Sequence, residues 1–304
     1  MLLDAHIHMF PVVRGVCLGR EETTSERYGM VRRQGRGLER FFPPSSEYSG
    51  FPYDVFMHYL DWAGIEKAVL FQSCIYGNHN DYYLHHAIEL LSDRLKAYAL
   101  VDPRTENART LIDALMQRGF VGIKLDTSEL PIRLNSEQVL VAGECLMKHN
   151  GVLALDLGWE PESPDYYQIV ELKKLLRKLP GLRLHLAHVG LGGKPIAATD
   201  EGVLQEIGEL SQIGNDVVYD ISAFPDLAPE TEEYPYPSVQ TLLYRVVSVV
   251  GADALLWGSD APQILQRCTY RQSVQWALEC DGLDADQKRQ ITFGNANRWY
   301  FEGG

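Results

Sequence analysis

Asp4-Ala5-His6-Ile7-His8 follows directly on Leu2-Leu3 near the start of the chain. In a β-strand alternate side chains share a face, so His6 and His8 can reach one metal ion together. The same alternation places Asp4 on that face, one pleat deeper, in a supporting role. Two imidazoles from one strand end are a common beginning for a Zn2+ site whose other ligands arrive from elsewhere. Further polar residues of useful chemistry stand at Gln72, Asp102, Lys124, Asp156, His188 and Asp260, each at the end of a short apolar run. They come from distant segments, so only a fold that gathers strand ends can bring them together.

The patterning predicts such a fold. Apolar runs at 2–7, 67–72, 95–101, 120–125, 152–157, 182–187, 216–221 and 254–259 alternate with amphipathic stretches at 52–63, 82–91, 107–118, 136–150, 164–179, 202–213 and 238–250. Asn135, with Gln138 three residues on, reads as a capping box, Gly151 as the stop after that helix, and Pro180-Gly181 as another stop. Strands alternating with helices imply right-handed βαβ units and a parallel sheet buried on both faces. About eight such units predict an α/β chain folded as a (β/α)8 TIM barrel, one domain over residues 1–304, with the strand ends collected at one mouth. A doubly wound open sheet is the alternative. Against it, no GxGxxG follows the first strand, and the polar residues end many strands rather than one switch point. Residues 9–50 and 224–237 exceed the connections a barrel needs. Their aromatics (Phe41, Phe42, Phe224, Tyr234, Tyr236) predict ordered lid loops after the first and seventh strands.

Composition narrows the function classes. The 304 residues are 45% hydrophobic and 23% charged, as in an ordinary globular enzyme, and α/β barrels run this long as one domain. A net charge of −13 argues against nucleic acid or an anionic membrane as partner. The five cysteines show no disulfide or metal spacing, which fits reduced thiols in a cytoplasm. No basic leader with an apolar core and no membrane-length apolar run is present. These features predict a soluble cytoplasmic protein.

Two further motifs, Leu186-Ala187-His188-Val189-Gly190 and Trp257-Gly258-Ser259-Asp260-Ala261-Pro262, join the Asp4–His8 opening and the ending Phe293-Gly294-Asn295-Ala296-Asn297-Arg298. In this combination the whole chain resembles the amidohydrolase superfamily. The resemblance is to its amidohydrolase-2 branch of decarboxylases (aminocarboxymuconate-semialdehyde and resorcylate types) and dicarboxylate or sugar-acid lactonases. The resemblance implies a mononuclear metal site, usually Zn2+, held by His6, His8 and Asp260. Asp260 would ligate the metal or take a proton from its water, and His188 would polarise the substrate or serve as acid and base. It implies hydrolysis of a small carboxylated or cyclic substrate through metal-activated water. Non-oxidative decarboxylation and metal-free lactone hydrolysis are the alternatives, and a non-catalytic ligand-binding barrel ranks below them. Homodimers are common in the branch.

One departure stands out. Metal-dependent members place a His after the fifth strand, where this chain has Leu155-Asp156-Leu157-Gly158. Asp156 as a ligand would make an oxygen-rich set suited to Mn2+ as well as Zn2+, whereas the lactonase-like members lack that His and can work without metal. Other residues carry further candidate roles. Lys124 either binds a substrate carboxylate, becomes a carboxylated metal bridge, or pairs with Asp126 or Asp156. Tyr76 and His79 lie in a loop that opens at the correct barrel end, and Trp159 and Glu160 are candidate pocket walls. His185, three residues before His188, is predicted to point to the opposite face. Arg14, Arg20, Arg32, Arg33, Arg36 and Arg40 make the first loop locally basic, and one of them is a candidate clamp for an anionic substrate.

Overall fold

Two strands show why the sheet must be covered on both sides. Lys67–Phe71 reads Lys-Ala-Val-Leu-Phe and Val152–Asp156 reads Val-Leu-Ala-Leu-Asp. Neither alternates, so neither face can meet water. In the computed structural model, which describes residues 1–17, 21–158, 167–191 and 201–302, such runs form an eight-stranded parallel sheet. In spatial order it comprises β1 (Leu3–His8), β6 (Lys67–Phe71), β7 (Leu95–Leu100), β8 (Gly122–Asp126), β9 (Val152–Asp156), β10 (Arg183–Leu186), β11 (Val217–Asp220) and β12 (Leu255–Leu256). The sheet curls until its ends meet. Ala5 N–H donates to the Trp257 carbonyl (2.9 Å), Asp260 N–H to that of His6 (2.8 Å) and His8 N–H to that of Ala261 (2.9 Å). The result is the expected (β/α)8 TIM barrel. Leu3, Ala5, Val69, Tyr98, Val152 and Ala154 help fill its interior, and a larger core lies between the strands and the surrounding helices.

Those helices include α1 (Tyr53–Ala63), α2 (Asn80–Tyr83), α3 (Ala108–Gln117), α4 (Glu137–Lys148), α5 (Ile169–Lys178), α6 (Glu201–Gly208), α7 (Pro237–Val250) and α8 (Gln272–Leu278). Helix α2 runs on as a π-helical stretch, Leu84–Glu89, so the stretch predicted at 82–91 begins earlier and is wound more loosely. The predicted Asn135 cap is corrected by one residue. Ser136 is the N-cap, its hydroxyl accepting from Val139 N–H, while Asn135 reaches Glu171. Among the described residues no helix is long and apolar enough to cross a membrane.

The first lid differs from a plain loop. Residues after β1 form an antiparallel meander of β2 (Arg14–Cys17), β3 (Glu21–Ser25), β4 (Met30–Arg33) and β5 (Gly37–Arg40). These strands are short and mostly polar, so no alternation announced them. The meander docks on the loop after β6 through Arg14 N–H to the Tyr76 carbonyl (2.9 Å) and Val16 N–H to that of Cys74 (2.8 Å). The second lid is ordered as expected. Phe224 stacks on Trp276, and Arg267 donates to the carbonyls of Pro225, Pro229, Glu230 and Glu232.

Candidate active site and metal centre

His6 and His8 reach the mouth because β1 is irregular. Leu3 and Asp4 pair with Lys67 and Ala68, but Ile7 and His8 pair with Leu70 and Phe71, so β1 carries one extra residue between the two pairs. This bulge resets the alternation. The expectation that Asp4 shares a face with His6 is therefore corrected. Asp4 accepts from Ser259 N–H (2.9 Å) and the Tyr270 hydroxyl (2.7 Å), on the helix side of the strand. Burial raises its carboxyl to about 7. The supporting role stands, since Asp4 clamps β1 to the segment that carries Asp260.

His6 and His8 converge on one carboxylate. His8 Nε2 lies 2.9 Å and His6 Nε2 3.7 Å from Asp260 Oδ1. The opposite ring nitrogens are committed, His8 Nδ1 to the Phe71 carbonyl (2.9 Å) and His6 Nδ1 to Asp220 Oδ2 (2.9 Å). Each ring thus donates from Nδ1 and points Nε2 at Asp260, where His8 Nε2 donates to the carboxylate in the absence of an ion and is the atom an ion would take. Burial lowers His6 to about 4, despite the nearby Asp220 and Asp260. Asp260 sits in the left-handed region at φ 63°. Burial would raise its carboxyl, but the His8 hydrogen bond and the His188 and His6 rings hold it below the ordinary value.

Asp220 was missed in the sequence. It ends β11 after Val217-Val218-Tyr219, whereas the apolar pattern carries the strand on to residue 221. A lone acid closing an apolar strand was the available signal. Oδ1 of the fully buried Asp220 accepts from His188 N–H (3.0 Å), Ser222 N–H (3.0 Å) and the Ser222 hydroxyl. Its Oδ2 accepts from His6 and from His185 Nε2 (2.8 Å). Burial opposes ionisation, but His6 and His185 keep it well below the usual carboxylate range. The expectation that His185 faces away from His188 is corrected, since both converge on Asp220. The alternation fails because the chain turns left-handed at His188 (φ 53°) and Val189 (φ 56°). Such backbone costs roughly 1–3 kcal/mol per residue and clusters where a side chain must be aimed.

His188 donates from Nδ1 to the Ser222 carbonyl (3.0 Å), and its Nε2 lies 3.4 Å from Asp156 Oδ2. Burial would lower it, but Asp156, Asp260 and Asp220 outweigh burial and raise it to about 10, so the ring is an imidazolium. Asp156 thus stands against His188, outside the His6–His8–Asp260 group. A cavity of about 290 Å³ opens above, lined by His188, Asp260, Asp156, Asp226, Ser222 and Gln263 among others.

Lys124 is buried with its ammonium 3.6 Å from Asp126. Burial would lower it, but Asp126, Asp156 and Glu129 hold it above its ordinary value. It lines an adjoining cleft of about 330 Å³ with Arg14 and Arg104. Tyr76 stacks on Phe10, sets its ring edge-on to His8 (5.0 Å), and its hydroxyl donates to Gln263 Oε1 (3.3 Å). His79 faces a different groove, its Nε2 donating to the Tyr76 carbonyl (3.1 Å). Gln72 and Asp102 do not line the cavity. Gln72 latches Asn80 and His79 N–H, and Asp102 pairs with Arg104. In the first loop Arg32, Arg33 and Arg36 pair with glutamates and Arg40 binds carbonyls, whereas Arg14 has no ion pair among the described residues. Trp159, Glu160 and Arg20 lie outside the described residues.

The donor set fits a metal ion. His6, His8 and Asp260 offer ligand atoms within 4.8 Å of one another, with both histidines oriented by acceptors behind them. Three protein ligands beside a cavity is the pattern of a centre that keeps an open position.

The amidohydrolase family profile matches residues 3–301. No protein of curated function matches by sequence. Among solved structures, a probable 2-pyrone-4,6-dicarboxylic acid hydrolase from Acinetobacter baumannii with citric acid bound is similar at 20% identity. It aligns over 98% of each chain with a TM-score of 0.71. An amidohydrolase from Burkholderia multivorans with bound zinc is 16% identical over 99% of each chain (TM-score 0.66). A 2,6-dihydroxybenzoate decarboxylase from Rhizobium is 16% identical over 83% of this chain and 88% of its own (TM-score 0.56).

Proposed function

The chain belongs to the amidohydrolase family of enzymes, and from that premise we propose that it hydrolyses a small carboxylated cyclic substrate, a lactone or a related ester or amide. The carrying observation is the meeting of the His6–His8–Asp260 group and the His188 imidazolium beside one cavity. His6, His8 and Asp260 would hold a divalent cation, Zn2+ before Mn2+, which when bound supplies Lewis acidity to a carbonyl or a water molecule.

The chain's own groups perform the remaining work. Asp260, held ionised, takes a proton from the attacking water at its carboxylate. His188 Nε2–H is only loosely held by Asp156 at 3.4 Å, so it can turn to the substrate carbonyl oxygen as negative charge develops there. The same nitrogen then hands its proton to the leaving oxygen or nitrogen. Arg14, beside Lys124 in the adjoining cleft, supplies a forked guanidinium for a substrate carboxylate. The first test is turnover on a panel of dicarboxylate and sugar-acid lactones. Asp260→Asn is expected to abolish it at an unchanged unfolding midpoint. Full turnover in that variant sinks the reading.

Decarboxylation is the second reading, favoured by the protonated His188, which can deliver a proton to a carbon that loses CO2. Oxygen-18 from water entering the product marks hydrolysis, and release of CO2 without it marks decarboxylation.

A further inference from the structure

Barrel interiors are filled by layers of apolar side chains, yet a column of polar groups runs up this one. The hydroxyls of Tyr98 and Tyr300 are 2.5 Å apart, and that of Tyr300 reaches His185 Nδ1 at 2.5 Å. His185 Nε2 meets Asp220 Oδ2 at 2.8 Å, and the same oxygen accepts from His6 Nδ1 at 2.9 Å. Tyr98, His185 and Asp220 are fully buried, and His6 and Tyr300 nearly so. Phe71 walls the column off. Its ring stacks on His6 (3.9 Å) and packs edge-on to His185 (5.0 Å) and tilted against Tyr98 (4.7 Å).

The hydrogen bonds have one consistent direction. An ionised Asp220 can only accept, so both His6 Nδ1 and His185 Nε2 donate to it. His185 Nδ1 is then left as an acceptor, Tyr300 donates to it, and Tyr98 donates to Tyr300. Buried groups of this kind are costly unless every one is satisfied, so the chain of donors fixes the His185 ring and tautomer.

We propose that His185, pinned by Tyr300, is a positioning residue for His6: together they hold the Asp220 carboxylate that orients the His6 imidazole. The C-terminal segment Arg298–Glu302, which carries Tyr300, thereby becomes part of the site's architecture. The inference rests on the reading of His6 as a metal ligand, and groups behind a ligating histidine typically govern metal affinity by 10–100-fold.

The test uses full-length protein with 15N-labelled histidine, stripped of metal. The wild type is expected to show His6 protonated on Nδ1 alone and His185 on Nε2 alone. In Tyr300→Phe the His6 Nδ1 proton is expected to broaden and exchange faster, and zinc affinity, read by competition with a chromophoric chelator, to fall about ten-fold. Tyr98→Phe removes an equally buried hydroxyl but leaves Tyr300 able to donate, and is expected to change neither. A merely structural hydroxyl would give equal losses in the two variants, and that result overturns the proposal. So does an unchanged His6 proton in Tyr300→Phe, or a wild-type His185 protonated on both nitrogens. Should Tyr300→Phe not fold, His185→Leu carries the same readouts. A wild type that takes up no zinc refutes the metal reading, and the His6 signal alone then decides this one.

Discussion

Gly258 lies against His6 so closely that a Cβ on it would stand 2.6 Å from the histidine Cβ and 2.8 Å from its backbone nitrogen. The glycine before Ser259-Asp260 is therefore the gap through which the last barrel strand approaches the first. Gly258→Ala must displace His6, because the clashing atoms are backbone and Cβ and have no rotamer to change. The expected outcome is a loss of stability of roughly 1–3 kcal/mol and loss of metal uptake. Denaturant titration and metal analysis check both. Wild-type uptake in this variant would show that His6 is not held by the contact.

Asp156 sets the charge of His188. In metal-free protein His188 titrates near 10 rather than 6.5, so the stability it contributes is fully present below pH 6.5 and lost as pH rises through 10. Asp156→Asn removes the largest favourable cause, and the His188 titration followed by NMR is expected to move down. Asp156→Ala is expected to leave zinc stoichiometry unchanged, because Asp156 faces His188 rather than the His6–His8–Asp260 group. Metal lost in that variant would return Asp156 to the ligand set.

Glu129 gives a pH dependence of the other kind. It accepts from Cys74 N–H (2.7 Å) and the Ser73 hydroxyl (2.5 Å), and burial, then Asp126, raises its carboxyl from 4.5 to about 7. The folded state holds a proton that the unfolded chain releases above pH 4.5. Stability from this group is thus present below 4.5 and declines as pH rises through 7. Glu129→Gln keeps the shape and cannot ionise. Unfolding free energies measured from pH 4.5 to 7 are expected to fall less steeply in the variant, with Asp4 leaving a residual slope. An identical slope in both proteins would remove Glu129 from the account.

Arg267 is the pin of the second lid. Its four carbonyl acceptors span Pro225 to Glu232, and its guanidinium lies 5.1 Å from the Tyr236 ring centre. Arg267→Ala is expected to cost about 1.5–3 kcal/mol, the range for hydrogen bonds to a charged group. Amide exchange across 226–236 should accelerate while the barrel strands stay protected. Unchanged exchange there would mean that the aromatic contacts alone hold the lid.

The barrel was legible in the sequence because a parallel sheet covered on both faces leaves uninterrupted apolar runs, and the runs ending at Asp156 and Phe71 are of that kind. His6, His8 and Asp260 were legible because they close such runs. What escaped depends on backbone irregularities that no period records. The bulge in β1 turned Asp4 outward, and the left-handed turn at His188 brought it and His185 to one carboxylate. Asp220 escaped because one residue of error in the strand end turns a site residue into a strand interior. The meander escaped because strands such as Glu21–Ser25 hold few apolar residues and are fixed by docking on the β6 loop rather than by their own pattern.

The seam that closes the barrel has a consequence for the order in which the molecule is made. His8 and Asp260 are 252 positions apart, and the hydrogen bonds that join the barrel's two ends run through His6, His8 and Asp260 themselves. During synthesis the two imidazoles emerge with β1, and their carboxylate partner only after every other barrel strand. A growing or truncated chain therefore carries only part of the His6–His8–Asp260 group, and the arrangement is complete only when the last strand joins the first.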